Sequence, residues 1–185
     1  MDYFTHYYKR GSSPFRTLSA LTDEEAKKVM EQLADDSPLF ARFKTPQQYL
    51  NTRKQVENWL RGEFIAKGGL PKDDYPLYAV LGSSSWIESH SASFDIEKIQ
   101  IPVSSFDERD ISFTFPDSMV SYWLGNDKPA DYYQEEYHGK VFTLSEVKAL
   151  VDAIGVAEAE WKVTLPADVA PYLEVQIWNH KPLFK

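Results

Sequence analysis

Several short segments carry side chains able to do chemistry. The first is Lys9-Arg10-Gly11-Ser12-Ser13-Pro14-Phe15-Arg16. Glycine lets the backbone turn its N–H groups inward. The guanidinium groups of Arg10 and Arg16 and the hydroxyls of Ser12 and Ser13 are what a phosphate or carboxylate needs. The competing reading is a solvated turn whose serines cap it before Thr17. The second is Gly82-Ser83-Ser84-Ser85-Trp86, directly after the apolar run Leu77 to Leu81. Ligands often sit at strand ends, where loops expose backbone N–H groups. Ser83 and Ser84 offer hydroxyls, Trp86 a stacking surface, and His90 follows in reach. The segment is not a nucleophile elbow, because the second glycine is missing and no helix signal follows. Its bland alternative is a strand exit with Trp86 packed on the core.

The third segment is Glu174, Gln176 and Trp178, followed by Asn179 and His180. A plain solvent face rarely carries Trp, and a core face rarely carries Glu and Gln. The mixture fits a cleft wall, with Trp as a flat apolar surface and Glu as a carboxylate of tunable pKa. The alternative is a half-exposed strand with Trp178 packed on a C-terminal residue such as Phe184. The fourth is Tyr132-Tyr133-Gln134-Glu135-Glu136-Tyr137-His138-Gly139, where alternating aromatics and carboxylates could bind a cation or sugar. The chain's histidines, at 6, 90, 138 and 180, show no H-x-x-x-H or H-E-x-x-H spacing, so no metal site is expected.

These segments need elements to position them. Thr22 and Glu25 form a capping box, with Ala26, Val29, Met30 and Leu33 at helical spacing behind it. A second helix begins after Thr45, with Pro46 at its first position. It runs to about Ala66 and stops at Gly68-Gly69. Tyr49, Val56, Leu60 and Phe64 form its apolar stripe. Arg53 falls inside that stripe and Glu57 on its edge, which fits either a buried ion pair or an Arg stem snorkelling to water. A third helix follows Thr143, with Glu146 completing another capping box and Gly155 as its stop.

Strand patterns fill the second half. Leu77 to Leu81 is apolar on both faces and reads as a central strand. Ile99, Ile101 and Val103 alternate beside Pro102, which points to an edge. Ile111, Phe113 and Phe115 alternate, as do Trp161, Val163 and Leu165, and Leu173, Val175 and Ile177. The expected fold is α+β: a mostly antiparallel sheet in the C-terminal two thirds, covered by two N-terminal helices and one later helix. The helices are expected on one face, and residues 1–185 are expected to form a single domain.

Composition limits the function classes. The 185 residues contain 20 Lys+Arg against 28 Asp+Glu and no Cys. The absence of Cys removes disulfides, thiolate nucleophiles and Cys-ligated metal centres. No apolar run approaches the roughly 20 residues that span a bilayer, and no signal peptide is apparent at Met1 to Arg10. A cytoplasmic protein is expected. Residues 1–72 hold 12 basic and 9 acidic side chains, a net of +3, and residues 73–185 hold 8 and 19, a net of −11. Such acidity argues against general nucleic-acid binding, which needs a basic footprint.

Gly11-Ser12-Ser13-Pro14-Phe15-Arg16-Thr17-Leu18-Ser19, Phe64-Ile65-Ala66-Lys67-Gly68-Gly69 and Phe115-Pro116-Asp117-Ser118-Met119-Val120 resemble a bacterial protein family with no assigned activity. The order His6 or Arg10, then Tyr78 or Ser83, then Glu174 is similar to that of the ADP-ribosyltransferase fold. That family places a His or Arg on an early strand, a Ser or Tyr on a middle strand and a Glu on a late one. The resemblance implies catalytic roles for Glu174, His6 and Tyr78 and NAD as co-substrate. Gln176 here follows Glu174 rather than preceding it.

The leading expectation is a module that binds a small anionic or nucleotide-like ligand and needs no cofactor. Arg10, Ser12, Ser13, Arg16, Ser83, Ser84, Trp86, His90, Gln176 and Trp178 are its contacts. The rivals are an NAD-using transferase acting through Glu174, and a protein–protein adaptor acting through Tyr132, Tyr133 and Tyr137.

Overall fold

A computed structural model of the chain describes residues 2–34, 38–90, 95–155 and 172–184. Five strands form one antiparallel sheet: β1 (Tyr3–Lys9), β2 (Leu77–Leu81), β3 (Ile96–Pro102), β4 (Ile111–Thr114) and β5 (Glu174–Ile177), in the order β3-β1-β2-β5-β4. The helices are α1 (Asp23–Leu33), α2 (Pro46–Ala66), α3 (Ser85–His90), α4 (Ser118–Asp127) and α5 (Leu144–Ile154). The architecture is α+β. Trp161, Val163 and Leu165 lie outside the described residues.

The sheet has two unlike faces, because side chains alternate along each strand while registered partners share a face. Phe4 opposite Leu81, Ala79 opposite Val175 and Leu77 opposite Ile177 lie on the first face. This face is hydrocarbon and packs against Val147, Leu150 and Ile154 of α5. The second face carries Thr5, Tyr78, Val80, Glu174, Gln176, Ser112 and Thr114. It lies under α2 and α4, and α1 packs on the outer side of α2 through Ala26, Met30 and Leu50. The helices therefore cover both faces rather than one. β5 is buried along its whole length as a result, as sandwiching between two helical layers requires.

Local rules explain most boundaries. Thr22 and Thr143 each accept from the N–H three residues on, and Glu25 and Glu146 reciprocate, so α1 and α5 start at full capping boxes. Thr45 makes no capping hydrogen bond, and Pro46 alone marks the start of α2. β3 is an edge strand, with Lys98 and Gln100 exposed and Pro102 at its end. At the other edge, Phe113 and Phe142 exchange N–H···O bonds of 2.9 and 2.8 Å, which extend the ladder past β4. α4 is held down where Gly125 meets Gly139. A Cβ on either glycine would collide with the other's backbone.

Three elements were not expected: β1, α3 and α4. β1 is aromatic on both faces (Phe4, His6 and Tyr8 against Thr5 and Tyr7), so it has no apolar–polar period to read. α3 follows Ser84, whose Oγ accepts the Ile87 N–H at 3.2 Å as a cap would. α4 starts at Asp117, whose carboxylate accepts from the N–H groups of Met119 and Val120 at 3.1 and 3.2 Å.

A candidate ligand cavity on the polar sheet face

Registration places Thr5, Val80, Glu174 and Thr114 in one row across β1, β2, β5 and β4, and Tyr78, Gln176 and Ser112 in the next. Buried polar groups must find partners, and these do so in series. Trp178 Nε1 donates to Ser112 Oγ at 2.9 Å, and Ser112 Oγ donates to Gln176 Oε1 at 2.9 Å. Gln176 Nε2 donates to Thr114 Oγ1 and Glu174 Oε1, both at 3.0 Å. The backbone N–H of Ser118, in the first turn of α4, donates to the same Oε1 at 3.1 Å.

α2 closes the face with a buried ion pair. Arg53 Nε lies 3.0 Å from Glu57 Oε1, with the side chains only 13% and 5% exposed, so Arg53 does not snorkel. Glu57 Oε1 also accepts from Ser19 Oγ at 2.7 Å and from Tyr78 OH at 2.9 Å. Arg53 donates further to Thr17 Oγ1 at 3.0 Å and Tyr49 OH at 3.2 Å, and its guanidinium sits 4.7 Å from the centre of the Tyr78 ring. Burial opposes the Arg53 charge, but Tyr78, Tyr49 and Glu57 together hold its pKa above the usual value. Glu57 Oε2 is buried without a hydrogen-bond partner among the described residues.

Beside this network a cavity of about 130 Å³ opens between β1, β2, β5 and α3. Val80 and Ile87 give it apolar surface; Thr5, Tyr7, Tyr78, Tyr172 and Glu174 give it polar groups. Several of these are already committed. Thr5 Oγ1 donates to the Gly82 carbonyl. Tyr7 OH donates to Glu88 and accepts from the Ser84 N–H, both at 2.9 Å. The Tyr78 donor goes to Glu57. The Tyr172 hydroxyl makes no hydrogen bond among the described residues. That leaves Tyr172 and the carboxyl of Glu174 to meet a ligand.

Glu174 is electrostatically unusual. Burial pushes its pKa up to about 7, the Asp117 carboxylate pushes the same way, and hydrogen bonds from Ser118 and Gln176 pull it down. The Arg42 guanidinium lies 5.7 Å from the centre of the Tyr49 ring. Its pKa is raised first by Tyr49, against the cost of burial, and then by Asp117, Tyr172 and Glu174. Arg42 is not itself part of the cavity wall. Tyr172 is raised well above its usual value, mainly by burial and then by Asp117 and Glu174.

The residues expected from sequence separate into two groups. Tyr78 and Glu174 line the cavity, with Gln176 bonded directly behind Glu174. Ser84 supports the wall through Tyr7 and caps α3, while Ser83 is exposed. Trp86 lies in α3, half-buried; the side chain of His90 lies outside the described structure. Trp178 is fully buried, its ring 6.4 Å from that of Phe64 and stacked on it, so it packs on α2 and not on Phe184.

The Lys9–Arg16 loop is elsewhere and self-satisfied. Arg10 is exposed, 2.6 Å from Asp95 and 3.0 Å from Glu97, and so faces carboxylates rather than an open anion site. Ser12 Oγ donates to the Lys9 carbonyl at 2.6 Å, the turn reading of this segment; Ser13 and Arg16 point to solvent. His6 lies on the hydrocarbon face, opposite to Glu174. Its Nδ1 sits 2.9 Å from the Tyr78 carbonyl and can only donate there, while its Nε2 accepts the Phe15 N–H at 3.0 Å. Both ring nitrogens are spent on backbone groups, and burial lowers its pKa. His6 is therefore a structural neutral imidazole and not a partner for Glu174. Phe15, at a φ of 57°, is held in its left-handed conformation by that bond and by ring contact with His6 at 4.9 Å.

Tyr132, Tyr133 and Tyr137 are half-buried, and the rings of Tyr133 and Tyr137 lie 6.3 and 6.5 Å from that of His138, which is itself buried with Nδ1 accepting from the Gln134 N–H at 3.1 Å. Among the described residues no group of three His, Asp or Glu side chains could hold a metal ion, and no helix is long and apolar enough to cross a membrane. Sequence reasoning missed Arg42, Asp117, Tyr172, Thr5 and Tyr7. Only Asp117 carried a local signal, as an acceptor just ahead of a helix's first turn. The chain matches no protein-family model, no curated protein and no solved structure.

Proposed function

We propose that this chain binds a small polar ligand bearing an anionic group in the cavity beside Glu174. One observation carries the reading. A buried carboxyl and a tyrosine, Glu174 and Tyr172, share one cavity wall, and burial beside Asp117 pushes the pKa of the Glu174 carboxyl up to about 7. Cavities that enclose drug-sized ligands run from about 300 to 1,000 Å³, so 130 Å³ fits a small molecule or one end of a larger one. Arg10 is not the anion's partner, because its charge is already matched by Asp95 and Glu97. The lack of cysteine supports a cytoplasmic setting, where disulfides are rare.

Thermal unfolding with a panel of phosphorylated sugars, nucleotides and small hydroxy-carboxylates tests the reading. A ligand at a hundredfold excess over its Kd stabilises the fold by about 2.7 kcal/mol. That shift should shrink in Tyr172→Phe and persist in Arg10→Ala. No shift from any panel member at millimolar concentration removes the proposal.

A second reading, NAD-dependent ADP-ribosyl transfer, draws support from Tyr78 and Glu174 sharing one cavity. A carboxylate there would stabilise the oxocarbenium charge that develops as the nicotinamide bond breaks. His6 is absent from that cavity, so the early-strand group of the resemblance has no counterpart at it. Mass spectrometry of NAD incubated with the protein decides this reading. If no nicotinamide is released, with or without DNA, RNA or protein acceptors, it fails.

A further inference from the structure

We infer that Glu174 meets its ligand as a proton donor through Oε2, so the ligand presents an anionic oxygen, of a carboxylate, sulfate or phosphate, and not an ammonium or a lone hydroxyl donor. The inference rests on the cavity being a ligand site and adds which ligand chemistry it takes.

The geometry fixes where the proton sits. Oε1 accepts two N–H groups, from Ser118 at 3.1 Å and Gln176 at 3.0 Å, and neither can accept a hydrogen bond in return. A proton on Oε1 would therefore point at a donor. The Ser118 amide is part of the backbone of α4 and cannot turn away. The Gln176 amide cannot flip without cost either. A flip would leave the Ser112 hydroxyl, already accepting from Trp178, with no acceptor for its own proton. A protonated Glu174 thus carries its hydrogen on Oε2, and Glu174 is part of the cavity wall.

The neighbours decide which form prevails. Asp117, at the head of α4, disfavours a second negative charge, while Arg42 favours one. Tyr172, ahead of β5, and Tyr78, on β2, stay neutral because burial raises both phenols. Arg53 lies beyond Tyr78, and Glu57 neutralises it. Burial together with Asp117 outweighs the opposing groups and keeps Glu174 partly protonated near neutrality. An incoming anion meets a neutral acid. Had Glu174 ionised, the same anion would meet a second buried negative charge. Anion binding is then linked to one proton, and affinity falls about tenfold per pH unit once Glu174 titrates.

The test uses the full chain, with glycolate and sulfate as anions of constant charge between pH 6 and 9 and glycerol as a neutral control. Binding is followed by NMR titration. For the wild type, glycolate and sulfate should bind about fiftyfold more weakly at pH 9 than at pH 7, and glycerol should show no such trend. Glu174→Gln, whose amide N–H stands where the carboxyl proton was, should bind both anions with the wild type's pH 6 affinity at every pH. Wild-type anion affinity that is flat with pH overturns the inference and leaves the cavity as a ligand site. So does glycerol binding without either anion, or Glu174→Gln binding more weakly than wild type throughout. If none of the three probes binds at pH 6, the ligand site itself is refuted and the inference falls with it. The wild-type profile stands alone should the variant fail to fold.

Discussion

Replacing Glu174 with Gln should stabilise the fold, and by an amount that grows with pH. The carboxyl titrates at 4.5 in its ordinary state and at about 7 in the folded chain. Below pH 4 it is protonated in both states and costs folding nothing through ionisation. Between the two values the unfolded chain releases its proton and the folded chain keeps it, so stability falls as pH rises. Above pH 7 both states are ionised and the loss is complete. A shift of this size at 1.36 kcal/mol per unit amounts to about 3 kcal/mol. The amide of the variant cannot ionise, yet its carbonyl oxygen can still accept from Ser118 and Gln176. Urea unfolding of both proteins from pH 4 to 8.5 isolates the carboxyl and its coupling to Asp117, because groups that do not interact with Glu174 titrate alike in the two. The stability difference, variant minus wild type, should rise by about 3 kcal/mol across that range, with most of the rise between pH 4.5 and 7. Parallel stability curves would refute the claim that Glu174 is buried as a reluctant acid.

Three further outcomes follow from the packing. Arg53→Ala leaves Glu57 buried and unpaired and should cost about 3–5 kcal/mol, whereas Arg53→Leu with Glu57→Leu should cost far less. Equal losses in the single and double variants would show that the pair does not act as a unit. His6 has a folded pKa below its ordinary 6.5, so its contribution is complete above that value and lost as pH falls below it. Its ¹⁵N shifts at pH 6 should report a neutral ring protonated at Nδ1; an imidazolium signal contradicts this. Gly125→Ala forces a methyl into the Gly139 backbone and should cost about 1–3 kcal/mol. A variant with the wild-type melting temperature would show that the two segments do not meet.

Elements with a strong local pattern were readable from sequence. Thr22 with Glu25 and Thr143 with Glu146 announce helix starts through local reciprocity, and Leu77 to Leu81 announces a central strand because both its faces are apolar. The candidate site was only half legible. Glu174 and Gln176 stood out as polar residues in an apolar setting, which is how a buried network looks from sequence. Their partners did not stand out. Thr5 sits on a strand with no apolar period, and Ser112 and Thr114 look like the wet side of a half-buried strand. Tyr172 shares a cavity wall with Glu174 only because the register sets Val80 opposite Glu174 and brings β1, β2 and β5 together there. Arg10 and the serines of the first loop misled for the opposite reason. Their anion-binding chemistry is real, but β3 brings Asp95 and Glu97 against Arg10, a pairing that only the β1–β3 register reveals.

The most direct test of the cavity as the ligand site is a chemical-shift map of the full chain titrated with glycolate at pH 6. The account predicts shifts concentrated on Thr5, Tyr78, Tyr172 and Glu174, with the Lys9–Arg16 loop unchanged. Shifts confined to that loop, or none at all, would contradict it.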